Sequence, residues 1–209
     1  MITAEDINKI IVDNYGHCLD SLARISLDEA HNISMIPCPA KFHNFDQIGF
    51  HVYKSKDKPK TPDMIFIKNG TVYFVEFKNG RIESIKKKCK NSDKENECWD
   101  DCPYVKWDIK LKALEGAFIV LHQLVLRHKK QGEKIDFSHI NNLRKVYILV
   151  YNEEKNKMTI KTNGTKDIHE HMNSSDIRSE LKRYKDTFFH NVATYTPENF
   201  KIELQRILQ

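Results

Sequence analysis

At 209 residues the chain is long enough for one sizeable core and short for two domains, and 40% apolar with 30% charged residues excludes a disordered or fibrous class. A net charge of +5, from 34 basic and 29 acidic residues, leans toward polyanionic partners but falls far short of a histone-like excess. No stretch approaches the roughly 20 apolar residues of a spanning helix, and Met1 to Asp6 lacks the zones of a secretion signal, so an intracellular protein with no membrane partner is expected.

Thr3 and Asp6 form a capping-box pattern ahead of Ile7, Ile10, Ile11, Tyr15, Cys18, Leu19 and Leu22, which recur at helical spacing and predict a first helix. Continued at about 100° per residue, that stripe takes in Ile25, Glu29 and Ile33, although Gly16 and the cap-like Ser26 to Glu29 equally mark a break. On the unbroken reading Glu29 is a carboxylate on a core-facing face, which is costly unless something pairs with it. After Pro37 and Pro39, Gln47 to Tyr53 is read as a first strand, followed by a basic link from Lys54 to Lys60.

Two apolar runs, 63–67 and 72–77, flank Lys68-Asn69-Gly70-Thr71. Asn-Gly between such runs signals a hairpin, because a type I′ turn needs positive φ at both central residues. Arg81 to Tyr104 is charged and aperiodic and reads as an inserted loop. Trp107, Leu111, Leu114, Phe118, Leu121 and Leu124 then define a long helix of about six turns. Lys145 to Tyr151 is a strand with Met158 to Lys161 as a candidate partner, and helices over Ser175 to Phe188 and Pro197 to Leu208 close the chain, the last capped by Thr196.

With Asn69 and Gly70 as the turn, Lys68 pairs with Thr71 and Asp63 comes to face Glu76. Opposed side chains have Cβ atoms roughly 4.5–5.5 Å apart, where like charges destabilise the pair. Lys78 shares their face because the strand period is two. That face also carries Ile65, Ile67, Val72 and Phe74, and the other carries Met64, Phe66, Tyr73, Val75 and Phe77. Two apolar faces place the hairpin inside a sheet covered by helices, which predicts an α/β fold, a three-layer α/β/α sandwich with a central mixed sheet. A hard divalent cation would turn the carboxylate repulsion into attraction.

Pro62-Asp63, a spacer of twelve residues and Glu76-Phe77-Lys78 together resemble the PD-(D/E)XK (restriction-endonuclease-like) nuclease superfamily. The resemblance covers the motif and the element order from about residue 4 to 151. It implies a restriction-endonuclease-like core at about 4–151 and says nothing of the chain beyond. With the length, the reading is a single domain over 1–209 that carries a charged insertion at about 81–104 and C-terminal helices at about 173–209. The resemblance also implies that Asp63 and Glu76 hold Mg²⁺ or Mn²⁺ with the Phe77 carbonyl as a further ligand, and that Lys78 orients or helps deprotonate the attacking water. Hydrolysis of nucleic acid follows, DNA in preference to RNA, in restriction, repair or recombination. Glu29 is the candidate for an added acid from the first helix, ahead of Asp13 and Asp20, while Lys110, Lys112 and Lys87 are candidates to reach phosphates. A homodimer would suit cleavage of both duplex strands.

Five cysteines without a secretory context argue against a disulfide framework. Cys89, Cys98 and Cys102, with Cys18 or Cys38 as a fourth thiolate, match zinc spacing poorly, and free thiols are favoured over a zinc site. Lys86, Lys87, Lys88 and Lys90, with Lys54, Lys56, Lys58 and Lys60, either line a backbone-binding groove or form solvated surface. His169 and His171 are the one HxH pair. Two other classes compete with the nuclease: an inactive nucleic-acid-binding module on the same fold, and an interaction protein stapled by metal at Cys89 to Cys102.

Overall fold

The computed structural model describes residues 2–55, 57–80, 82, 104–129, 134–160, 168–171 and 181–209, with backbone alone at 104–107, 157–160 and 168–171. Lys56, Lys86, Lys87, Lys88, Lys90, Cys89, Cys98 and Cys102 lie outside the described residues, as does nearly all of the expected insertion.

Helix α1 (Ala4–Tyr15) starts at the capping box: Asp6 N–H donates to the Thr3 hydroxyl, and Thr3 N–H to the Asp6 carboxylate at 2.9 Å. It buries Ile7, Ile11 and Tyr15 and then stops, because Gly16 opens a 3₁₀ turn over Gly16–Cys18. The chain continues as β1 (Leu19–Ser21), α2 (Leu22–Ile25) and a small antiparallel pair, β2 (Leu27–Asp28) and β3 (Ile33–Ser34). The apolar stripe therefore does not extend through Glu29. That residue sits exposed in the turn between β2 and β3.

Strand β4 (Lys41–Asn44) leads into α3 (Phe45–Tyr53), so the first strand predicted over Gln47 to Tyr53 is a helix. The reason is local: the Asn44 side chain caps the Gln47 N–H, and Phe45, Ile48, Gly49 and Val52 recur on one buried face. Strands β5 (Met64–Lys68) and β6 (Thr71–Lys78) form the hairpin in the predicted register, from Lys68 opposite Thr71 to Met64 opposite Val75. Asn69 and Gly70 take φ of 49° and 67°, as a type I′ turn requires.

The long helix runs as α4 (Tyr104–Leu114), a π-helical segment (Glu115–Val120) and α5 (Leu121–His128). After α6 (Phe137–Asn141), strand β7 (Arg144–Tyr151) lies parallel to β6 along its whole length. Strand β8 (Lys157–Ile160) pairs with β9 (Ile168–His171) and not with β7. The far side of β7 is taken by β10 (Asn191–Tyr195), a strand the sequence pattern did not show, and α7 (Pro197–Leu208) follows with Thr196 as its cap. The helix expected through Phe188 gives way to turns after Lys182, where Asp186 adopts a left-handed φ of 63° and its N–H bonds the Phe189 carbonyl.

The main sheet is thus mixed, in the order β1-β4-β5-β6-β7-β10. Ile65, Val72 and Phe74 pack with α1, α3, the π segment, α5 and α6, while Met64, Phe66, Val75 and Phe77 pack with α2 and α7. Both faces of the sheet bury apolar side chains under helices, and the hairpin alternates between them as its pattern predicts. Among the described residues no helix is long and apolar enough to cross a membrane.

Lys145, fully buried on β7, donates through Nζ to the carbonyls of Ile140 and Asn141 at the end of α6 and lies 4.6 Å over the Phe118 ring. Burial lowers its pKa to about 8. It serves the core and stands apart from the charged end of the hairpin.

Candidate active site

Asp63 sits one step beyond the Met64–Val75 pair, at the open end of the hairpin. Its backbone leaves the ladder there, since its carbonyl accepts the Phe45 N–H at 3.0 Å, while its carboxylate reaches back to accept the Phe77 N–H at 2.7 Å. Glu76 is 2% exposed and projects onto the same face. Between them stands Lys112 of α4: its Nζ lies 2.8 and 3.0 Å from the two Glu76 oxygens and 3.3 Å from Asp63 Oδ1. Two acids and one ammonium therefore share a single patch.

The helix can bring Lys112 this close because Gly116, one turn on, lies against Pro62. A Cβ at position 116 would fall 2.4 Å from Pro62 Cδ and 3.3 Å from Phe45 Cε1. Pro62 and Gly116 thus set the distance between the hairpin end and α4. Upstream on the same helix, Asp108 pairs with the Lys60 ammonium, and Glu115 accepts the Lys60 N–H at 2.6 Å.

The patch opens into a cleft of about 640 Å³ lined by Asp63, Phe77, Lys78, Lys112, Asp46, Asp28 and Glu29, among others. Lys78 is half-buried, and its charge favours ionised Glu76. The Phe77 ring points to the opposite face and packs edge-on against Phe200, which leaves only its backbone to the site. Glu29 lines the cleft from the exposed turn and not from a core-facing helix, so the reason for singling it out is overturned although it stays at the rim. Asp13 pairs with Lys9 at 2.7 Å and Asp20 with Arg24 at 3.3 Å, and neither lines the cleft.

Lys112, a candidate to reach phosphates, is paired here with the two carboxylates. Lys110 is half-buried and is not among the lining residues. Of the basic link, Lys58 bonds Asp46 at 2.6 Å and Lys60 bonds Asp108, so these two are ion-paired and not an open groove.

The acid that sequence reasoning missed is Asp46, in the first turn of α3. It accepts from Lys58 Nζ and, at 2.7 Å, from the Thr61 hydroxyl. Burial pushes its pKa up, but those bonds and the charges of Lys58 and Lys112 hold it below the usual carboxylate range. The Asn44 cap and the buried pattern behind it were the signal. Asp28 is likewise held low, by bonds from Asn79 at 2.7 Å and His31 at 2.9 Å.

Burial raises the pKa of Asp63, opposed by Lys112 and the Phe77 N–H. Burial and the Asp63 charge lift Glu76 well above its ordinary value, against the pull of Lys112. Lys112 is held charged: desolvation disfavours its ammonium, but the two carboxylates outweigh it and raise its pKa. One ammonium serves two acids, with Asp46 adding a third negative charge at the cleft wall. The donor set of Asp63, Glu76 and the Phe77 carbonyl is all oxygen and fits a hard divalent cation.

The linkage has a definite sign. Folding favours protonated Asp63 and Glu76, so their contribution to stability is complete below about pH 4 and is lost as pH rises through the raised pKa of Glu76. A divalent cation held by the ionised pair would restore stability over that same range. Thermal unfolding with and without Mg²⁺ should therefore show a stabilisation that is small in acid and grows toward neutral pH. A shift independent of pH would count against binding at these carboxylates.

Comparison of the chain with family models, with curated proteins and with solved structures finds no match.

Proposed function

We propose that this chain is a divalent-metal-dependent nuclease of restriction-endonuclease-like fold, acting on DNA in preference to RNA. The observation that carries the reading is the pair Asp63 and Glu76, bridged by Lys112 at the open end of the hairpin, where Asp63, Lys78 and Lys112 line a cleft and Glu76 lies buried behind them. The order of helix, strands, hairpin, long helix and parallel strand between residues 4 and 151 supports it.

Asp63, Glu76 and the Phe77 carbonyl would hold Mg²⁺ or Mn²⁺. When bound, the metal supplies Lewis-acid stabilisation of a phosphodiester and lowers the pKa of its water. The chain contributes the rest. The Phe77 N–H fixes one oxygen of Asp63 and leaves the other facing Lys112 Nζ. Lys112 opposes the burial that favours the protonated carboxyls, pulling both back toward ionisation, and α4 holds it there through the Gly116–Pro62 contact. Lys78 presents an ammonium on the same face, where it orients the attacking water and offsets charge developing on the phosphate. Cutting two strands together needs two such sites, which a homodimer would supply.

One observation favours a second reading: Lys112 already neutralises part of the acid pair, as suits a binding module on this fold that does not cleave. Incubation with labelled single-stranded, duplex and branched DNA in Mg²⁺, Mn²⁺ or EDTA separates the two. The nuclease cleaves with metal, stops in EDTA, and slows by ~10²-fold in Lys78→Ala, the scale of one lost charge-stabilising donor. Binding without cleavage of any substrate would replace it by the binding module.

A further inference from the structure

A second cluster of potential ligands lies away from the acid cleft. His17 and Cys18 come from the 3₁₀ turn that ends α1, and His51 comes from the last turn of α3. One ligand atom from each, two imidazole nitrogens and the thiol sulfur, lie within 4.8 Å of one another. The two rings meet edge to face with centroids 4.6 Å apart. Cys18 is fully buried, while both histidines are exposed and give an ion a path from solvent.

We propose that His17, Cys18 and His51 form a site for a borderline transition-metal ion, Zn²⁺ or Co²⁺, with the fourth position open to water. The chemistry of the donors selects the class. Thiolate and imidazole suit Zn²⁺, Co²⁺ and Cu²⁺ and are poor partners for Mg²⁺ or Ca²⁺, so this site and the all-oxygen patch at Asp63 take different ions. Tetrahedral zinc with bonds of about 2.0–2.3 Å sets its ligands about 3.3–3.6 Å apart, so the present cluster closes by roughly 1 Å through side-chain rotation. On binding, the Cys18 thiol releases its proton to solvent and the sulfur bonds the metal as thiolate. Burial alone raises the thiol pKa, and the ion's charge reverses that preference.

The consequence is a staple. The 3₁₀ turn between α1 and β1 would be tied to the end of α3, a helix whose first residue, Phe45, holds the Asp63 carbonyl through its N–H. The site is independent of any nuclease activity and stands or falls by metal binding alone.

Titration of the full chain with Co²⁺, free of reductants that bind metal, reads the site directly. Wild type is expected to bind one equivalent at this cluster with a thiolate-to-cobalt charge-transfer band, and Zn²⁺ is expected to displace it and raise Tm. His17→Ala and His51→Ala replace exposed side chains, so both variants keep the fold, and each should weaken Co²⁺ by more than about 100-fold, beyond what loss of an outer-shell partner costs. A variant with Cys89, Cys98 and Cys102 all changed to Ser should keep the band. The proposal is overturned if wild type shows no band, if the band survives in both histidine variants, or if the triple serine variant loses it.

Discussion

Asp63→Asn is expected to lower the rate of metal-dependent DNA cleavage by ~10³-fold or more, about 4 kcal/mol of transition-state stabilisation, with little change in Tm. The substitution separates charge from architecture. Asparagine keeps an oxygen to accept the Phe77 N–H, so the bond that positions the side chain at 2.7 Å can survive. What is lost is one of the two negative charges that a cation must meet. Stability should hold, because the mutation also removes the repulsion that lifts Glu76, and Lys112 remains paired with Glu76 at 2.8 Å. Single-turnover cleavage of labelled DNA beside scanning calorimetry reads both quantities. Cleavage at the wild-type rate by Asp63→Asn would remove the acid pair from the mechanism.

Gly116→Ala should destabilise the protein by ~1–3 kcal/mol, the range for overpacking, and should reduce cleavage with it. The ordinary expectation runs the other way, since Ala in a helix interior is favoured over Gly by about 1 kcal/mol. Geometry decides the sign. The nearest atom to the new methyl is Pro62 Cδ at 2.4 Å, part of a ring that cannot rotate aside, and Phe45 closes the space at 3.3 Å. Relief requires α4 and the Pro62-Asp63 segment to separate, which draws Lys112 from both carboxylates. Urea unfolding measures the first effect and cleavage the second, and a more stable Gly116→Ala protein would mean that the helix does not rest on Pro62.

The hairpin was legible in the sequence because its determinants are local. Asn69-Gly70 admits the positive φ values of the turn, and the turn then dictates every pair down to Met64 opposite Val75. The capping residues Thr3 and Thr196 were legible for the same reason. Gln47 to Tyr53 was misread because the helical pattern begins at Phe45 and its cap at Asn44, so a window starting two residues late removes the evidence for its period. Glu29 depended on whether a stripe crosses Gly16, and periodicity alone does not settle a break.

Lys112 was named as a candidate for phosphates, but its pairing with the two carboxylates was not legible. It meets Glu76 only because the crossover folds α4 back over the hairpin, and no local rule pairs residues 36 positions apart. Asp46 was missed likewise, since it enters the cleft wall through its bonds to Lys58 and Thr61 and its position on α3. Strand β10 completes the sheet through a parallel pairing with β7, a long-range contact to which its own five residues give no clue.

The parallel pairing of β6 with β7 also bears on how the molecule assembles. A two-residue hairpin closes in about 1–10 μs, whereas a parallel neighbour must wait for the long crossover that carries α4 to be closed. The carboxylates of Asp63 and Glu76 thus meet early, at the open end of the hairpin, and the ammonium that reconciles them arrives with the slower step. Until then the nascent hairpin is pulled apart by its own charge, so the segment that defines the site is also the one whose early pairing is least secure.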